Sequence, residues 1–160
     1  MNRDLLILLD DLDLEPMMVK AIDDEEGLGW SLEFTKEVAL EYKKFLALCI
    51  LHPDAPIVPS IFVDDFWHLH ILDTQKYADD CAQFVGSFLH HFPYFGMRGE
   101  PDRANLVRAW NGTLKLYFET FAKVPDAKIW PKSKRCPNCG KRTENGTTSE
   151  FRPHLKDVVS

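Results

Sequence analysis

Imidazole, carboxylate and thiolate side chains gather in two stretches of this sequence, and both have the composition of a metal site. The first is residues 64–99, DDFWHLHILDTQKYADDCAQFVGSFLHHFPYFGMRG, which carries His68, His70, His90 and His91 beside Asp64. Asp64 and His68 are four residues apart. On a helix that spacing stacks them one turn apart on one face, where a carboxylate and an imidazole can share an ion or bond each other. His70 lies about 200° round the same helix from His68, so a regular helix cannot bring both histidines to one ion. If Asp64 and His68 ligate, the remaining ligands come from elsewhere, and His90 or His91 at the helix end is a candidate to fold back beside another helix. Two imidazoles and a carboxylate suit zinc, or non-haem iron with open positions. The plainer alternative is that His68 simply hydrogen-bonds Asp64 within a packed core. His70, on a face with Thr74, Tyr77 and Cys81, reads equally well as a satisfied buried histidine.

The second stretch is Cys136-Pro137-Asn138-Cys139-Gly140, flanked by Lys134, Arg135, Lys141 and Arg142. A tight turn of this kind faces two thiolates toward one ion, and nearby cations favour the thiolate form. It supplies half of a four-ligand zinc site. His154 is the third candidate in the tail, and the fourth would come from Cys49, another histidine or a second chain. A redox role for the pair needs a strand and a helix around the motif, which the sequence does not offer. Cys81 has no cation near it in sequence to lower its pKa, so it reads as a small core residue.

The elements that must position these groups are helices. Leu5 to Leu12 reads as a short helix after Asn2, closed by Pro16. Ser31 opens a longer one to about residue 51, with Phe34, Val38, Tyr42, Phe45, Leu46 and Cys49 at three- and four-residue spacing. Pro53, Pro56 and Pro59 make a stiff connector, and Ser60 is placed to cap the next helix. That third helix is expected over about 61–88, continuous from about Asp64 to Phe84, ending before the aromatic loop at Phe92-Pro93. A fourth covers about 101–123, with Leu106, Trp110, Leu114, Tyr117, Phe118 and Phe121 on one stripe. Trp67, Trp110, Phe118 and Phe121 are expected to share one core. The loop residues Tyr94 and Arg98, with Trp67, His70 and Tyr77, are candidates for the wall of a pocket.

The pattern D-x-x-W-H-x-H followed by Tyr, Cys and His falls on Asp64, Trp67, His68, His70, Tyr77, Cys81 and His90 or His91. In this it resembles the glycine-rich domain-containing protein-like family, although the glycine-rich segment behind that name is absent. The resemblance implies no activity that can be carried over.

Composition sets the remaining bounds. With 160 residues, 45% hydrophobic and 28% charged, the chain can bury an ordinary core without disulfides. A net charge of -6 argues against a binder driven by nucleic-acid phosphates. No run is long enough for a membrane span and the start lacks the form of a secretory leader, so a cytoplasmic location is expected. The reading is an all-α bundle of about four main helices over residues 1–130, with a short N-terminal helix and a basic, cysteine-bearing tail over 131–160. Three functions fit it. The first is a small metalloprotein holding zinc or iron, whose sharper form is an enzyme on a small-molecule partner. The second is a non-catalytic interaction module that meets a protein partner through its tail. The third is a thiol-redox protein using Cys136 and Cys139.

Overall fold

A computed structural model describes residues 2–132, 140–141 and 152–159. Cys136 and Cys139 lie outside the described residues. Helices α1 (Asn2–Asp10), α2 (Glu15–Ile22), α3 (Leu32–Leu51), α4 (Ile61–Leu72), α5 (Thr74–Asp80) and α6 (Glu100–Phe121) build the body, with a short α7 (Leu155–Val158) near the end. The fold is mostly helical, as the periodicity requires. None of the described helices is long and apolar enough to cross a membrane.

The long α3 is the axis of the bundle. Its start follows from Ser31, whose hydroxyl accepts the backbone N–H of Phe34 at 3.2 Å and so satisfies one orphan donor of the first turn. Helices α1, α2, α4 and α6 all pack on α3, so its apolar positions are covered on several sides. Tyr42, Phe45, Leu48 and Val38 are fully buried there, against Phe66 and Trp67 of α4. The α1 segment covers one end of this core through Leu9 and Leu12. Pro16 does not close that first helix. It occupies the first turn of a separate helix, α2, where its missing N–H costs nothing and its fixed φ favours the helical start.

The proline connector is stitched to the far side of the bundle. Thr113, buried on α6, accepts the Val58 N–H at 2.9 Å and donates back to the Ala109 carbonyl at 2.8 Å. Ser60 then caps α4 by accepting the Val63 N–H at 3.2 Å. One turn further along α6, Tyr117 reaches Glu41 of α3, a buried carboxylate held by three donors. These are Tyr117 Oη at 2.8 Å, Trp130 Nε1 at 2.9 Å and Lys44 Nζ at 2.7 Å. The contacts fasten α6 and the segment after it onto α3, with Trp110 stacked on Trp130.

Two further expectations about these elements are corrected, and one strand pairing is added. The helix expected over 61–88 is broken at Asp73, whose backbone (φ -80°, ψ 76°) leaves the helical region while its side chain accepts the Lys76 N–H and starts α5. After α5 the chain loosens into a π-helical turn, Cys81–Val85, closed by the Gly86 N–H on the Cys81 carbonyl at 2.9 Å. Gly86 stands at φ 91°, a left-handed conformation that only glycine adopts without strain. Phe118 is not in the core. It is 54% exposed on the outer face of α6, whereas Trp67 and Trp110 are buried and Phe121 is partly buried. Finally, a short antiparallel ladder joins β1 (His91–Phe92) to β2 (Gly140–Lys141), with His91 opposite Lys141 and Phe92 opposite Gly140.

Candidate metal centre

Asp64 sits in the first turn of α4, anchored by its own N–H on the Ser60 carbonyl at 2.8 Å. Its carboxylate is buried and takes one imidazole on each oxygen. His68, one turn further along α4, places Nε2 3.0 Å from Oδ2. His91 arrives on β1 and places Nε2 2.8 Å from Oδ1. The two Nε2 atoms are themselves 2.9 Å apart. Three ligand-type groups therefore converge, with one face buried at Asp64 and the other open, because the His68 side chain is 50% exposed.

Proton accounting makes this arrangement informative. Each imidazole can satisfy the carboxylate only by presenting an Nε2–H to it, and a proton used that way cannot also lie on the line between the two nitrogens. Two protonated ring nitrogens then stand side by side at 2.9 Å with no proton acceptor between them. A divalent ion between the three groups removes both protons and the conflict. Metal–nitrogen bonds of about 2.0–2.1 Å put ligands about 2.9 Å apart at right angles and about 3.4 Å apart at the tetrahedral angle. The spacing found here is close to the first arrangement as it stands and reaches the second by opening about 0.4–0.6 Å.

The electrostatics follow the same geometry. Burial works against charge on Asp64, but the hydrogen bonds from His68 and His91 outweigh it and hold the carboxyl below its usual range. His68 is pushed up, chiefly by its bond to Asp64 and against the opposing effect of burial.

His70 lies apart from the triad, as the 200° offset requires. It is 2% exposed, receives the Tyr42 hydroxyl on Nδ1 at 2.7 Å and donates Nε2–H to Asp80 at 2.8 Å, where Lys76 completes the set at 2.9 Å. A carboxylate only accepts, so the tautomer is fixed with the proton on Nε2. Burial holds this imidazole below its ordinary pKa, which keeps it neutral. Neither Tyr42 nor Asp80 carried a signal in the sequence. Both are partners across elements, and only the packing of α3 and α5 on α4 introduces them.

The other candidates are placed as follows. Of the paired histidines only His91 reaches Asp64. His90 is exposed and its ring packs on Phe88. Trp67 and Tyr77 are core residues whose rings and polar atoms face protein. Tyr94 is half-buried against Phe92. Arg98 makes a bidentate pair with Asp102, at 3.0 Å and 2.8 Å, and lies over the Phe92 ring. It lines a groove of about 810 Å³ along α6, with Pro56, Phe95, Arg108, Gly112 and Leu116, and no triad residue enters that groove. Cys81 is buried, and burial pushes its thiol up, against any nucleophilic role. His154 is exposed and caps α7, its own N–H bonded to Asp157 at 2.8 Å.

Comparison with known proteins now gives the class. The sequence pattern of the UCP032817-like family matches residues 6–119, most of the helical body, and the chain belongs to that family. It is also similar to glycine-rich domain-containing protein 2 of Arabidopsis thaliana, 29% identical over 83 residues, or 52% of this chain. The resemblance carried by the Asp64 to His91 pattern is thus borne out. The match spans 8% of that relative's length. No solved structure matches the chain.

Proposed function

We propose that this protein is a small metalloprotein whose centre is Asp64, His68 and His91, with the open face at His68 as its working side. The observation that carries the reading is the convergence of two imidazole Nε2 atoms and one buried carboxylate within hydrogen-bond distance of each other. Two histidines and a carboxylate are a donor set used for zinc and for ferrous iron. Three protein ligands and an exposed side leave room for a small molecule on the metal, which is what a catalytic centre needs and a closed structural site lacks. An enzyme acting on a small-molecule partner is the sharper form of this proposal. The two buried thiols, Cys49 and Cys81, suit a reducing compartment such as the cytoplasm.

The pairing of β1 with β2 supports adding Cys136 and Cys139 as thiolate ligands. In the sequence Cys139 directly precedes Gly140, and Gly140 is the residue paired with Phe92, next to His91. Thiolates would favour zinc over iron.

A second reading has its own support. Asp64 has an imidazole on each oxygen without any ion, which is enough for a hydrogen-bonded cluster in a non-catalytic interaction module. Metal analysis of the purified protein, followed by titration with zinc or ferrous iron, separates the two. The metalloprotein reading expects one divalent ion per chain, lost in His68→Ala and His91→Ala and retained in His70→Ala and His90→Ala. A parent protein that neither carries nor takes up a metal overturns it in favour of the module. The Cys136→Ser/Cys139→Ser double variant decides whether the thiolates belong to the centre, since unchanged affinity removes them from it.

A further inference from the structure

Only one group in the motif touches both supports of His91, and it is neither a ligand nor exposed. The Tyr77 hydroxyl accepts the indole N–H of Trp67 at 3.0 Å and donates to the backbone carbonyl of Leu89. Trp67 lies under the His91 ring, with centroids 4.4 Å apart, and Leu89 is two residues before His91 on the same strand approach. Tyr77 itself is 1% exposed, wedged edge-on between the rings of His70 and Phe88. The loop from Gly86 to His90 crosses from the π-helical turn to β1 with Ser87, Phe88 and His90 at the surface, and the Leu89 backbone also bonds the Cys81 thiol. The path of that loop decides whether His91 points at Asp64.

We infer that Tyr77 is a positioning residue for the centre: its hydroxyl fixes the orientation of Trp67 and the height of the Leu89 carbonyl, and through both it sets His91 against Asp64 and His68. The inference rests on the metalloprotein reading above. It also gives a reason for the Tyr at this place in the motif, since phenylalanine would fill the same space and support neither contact. Groups behind a metal ligand typically change affinity by about 10- to 100-fold when removed, because the ligand loses its preset direction.

The protein supplies a matched control. From α6, Tyr117 is likewise buried against the neighbouring α3 residue Glu41, its hydroxyl donating to that carboxylate and receiving Lys44 Nζ at 3.0 Å, with Trp130 on the same carboxylate. Tyr77→Phe and Tyr117→Phe each delete one hydroxyl from a buried Tyr–Trp network, but only the first network touches His91. Zinc affinity is measured for the parent and both variants by competition with a chromophoric chelator, alongside thermal melts of the metal-free proteins. The expected result is a loss of about tenfold or more for Tyr77→Phe and less than about twofold for Tyr117→Phe, with comparable falls in melting temperature. Equal affinity in Tyr77→Phe and parent overturns the inference, as does an equal loss in both variants, which would trace affinity to general stability. A parent that binds no zinc or ferrous iron fails the underlying reading instead. In that case amide exchange at Leu89 and His91, faster in Tyr77→Phe than in Tyr117→Phe, still tests whether Tyr77 holds the strand.

Discussion

His70 and His68 are two residues apart in sequence, yet the structure gives them opposite relations to stability, and substitution of each by alanine exposes the difference. In His70→Ala the Tyr42 hydroxyl, inside a fully buried ring, loses its acceptor. An orphaned buried donor costs about 1–3 kcal/mol. Removing the imidazole also leaves a void beside Tyr42 and Tyr77, for which about 2 kcal/mol is the low end of large-to-small core changes. Asp80 keeps its Lys76 partner and needs no addition. The loss is therefore about 3–5 kcal/mol, a large share of the 5–15 kcal/mol that holds a typical domain together. At this chain length it should lower the melting temperature by about 10 °C. His68→Ala removes a half-exposed side chain and should change the metal-free protein by less than about 1 kcal/mol. Urea melts monitored by far-ultraviolet circular dichroism, in the presence of a chelator, measure both. A loss below about 1 kcal/mol for His70→Ala would mean that the Tyr42–His70–Asp80 chain is not formed, and the packing of α3 on α4 would need redrawing.

Trp110→Ala should cost about 3–5 kcal/mol, since the ring is buried and stacked on Trp130, while Phe118→Ala on the exposed side of the same helix should stay within about 1 kcal/mol; denaturant midpoints of the two variants check the contrast. Cys49 and Cys81 should resist alkylation at pH 8 in the folded protein and react once urea unfolds it, because both are buried and burial raises the Cys81 thiol above its ordinary range. Mass spectrometry of the labelled peptides reads this directly, and fast labelling of Cys81 under native conditions would refute it.

Legibility in the sequence tracks how local each cause is. The extent of α3 could be read because its cap, Ser31, and its apolar spacing are both contained within it. The pairing of Asp64 with His68 could be read for the same reason, being a single helical turn. The break at Asp73 could not, because the apolar spacing runs past it. What ends α4 there is one aspartate serving as the C-terminal cap of one helix and the N-terminal cap of the next. The choice between His90 and His91 was equally hidden. Neighbouring residues of an extended segment point to opposite sides, and which side faces Asp64 is set by the Tyr77 contact with Leu89 from another element. Phe118 misled because a stripe of apolar residues marks a face, while its breadth exceeds what the neighbours cover.

The π-helical turn at Cys81–Val85 holds one more residue per turn than an α-helix, and its outer positions Ala82 and Gln83 are exposed. A residue removed from a regular helix rotates everything beyond it by about 100° and dislodges the buried face. Here the surplus residue is already present as a bulge, so losing Gln83 lets the turn tighten into ordinary α-helix while Cys81 and Phe84 adjust locally. This segment is therefore a place within the motif where chain length can vary by a residue with the direction of the outgoing loop largely kept.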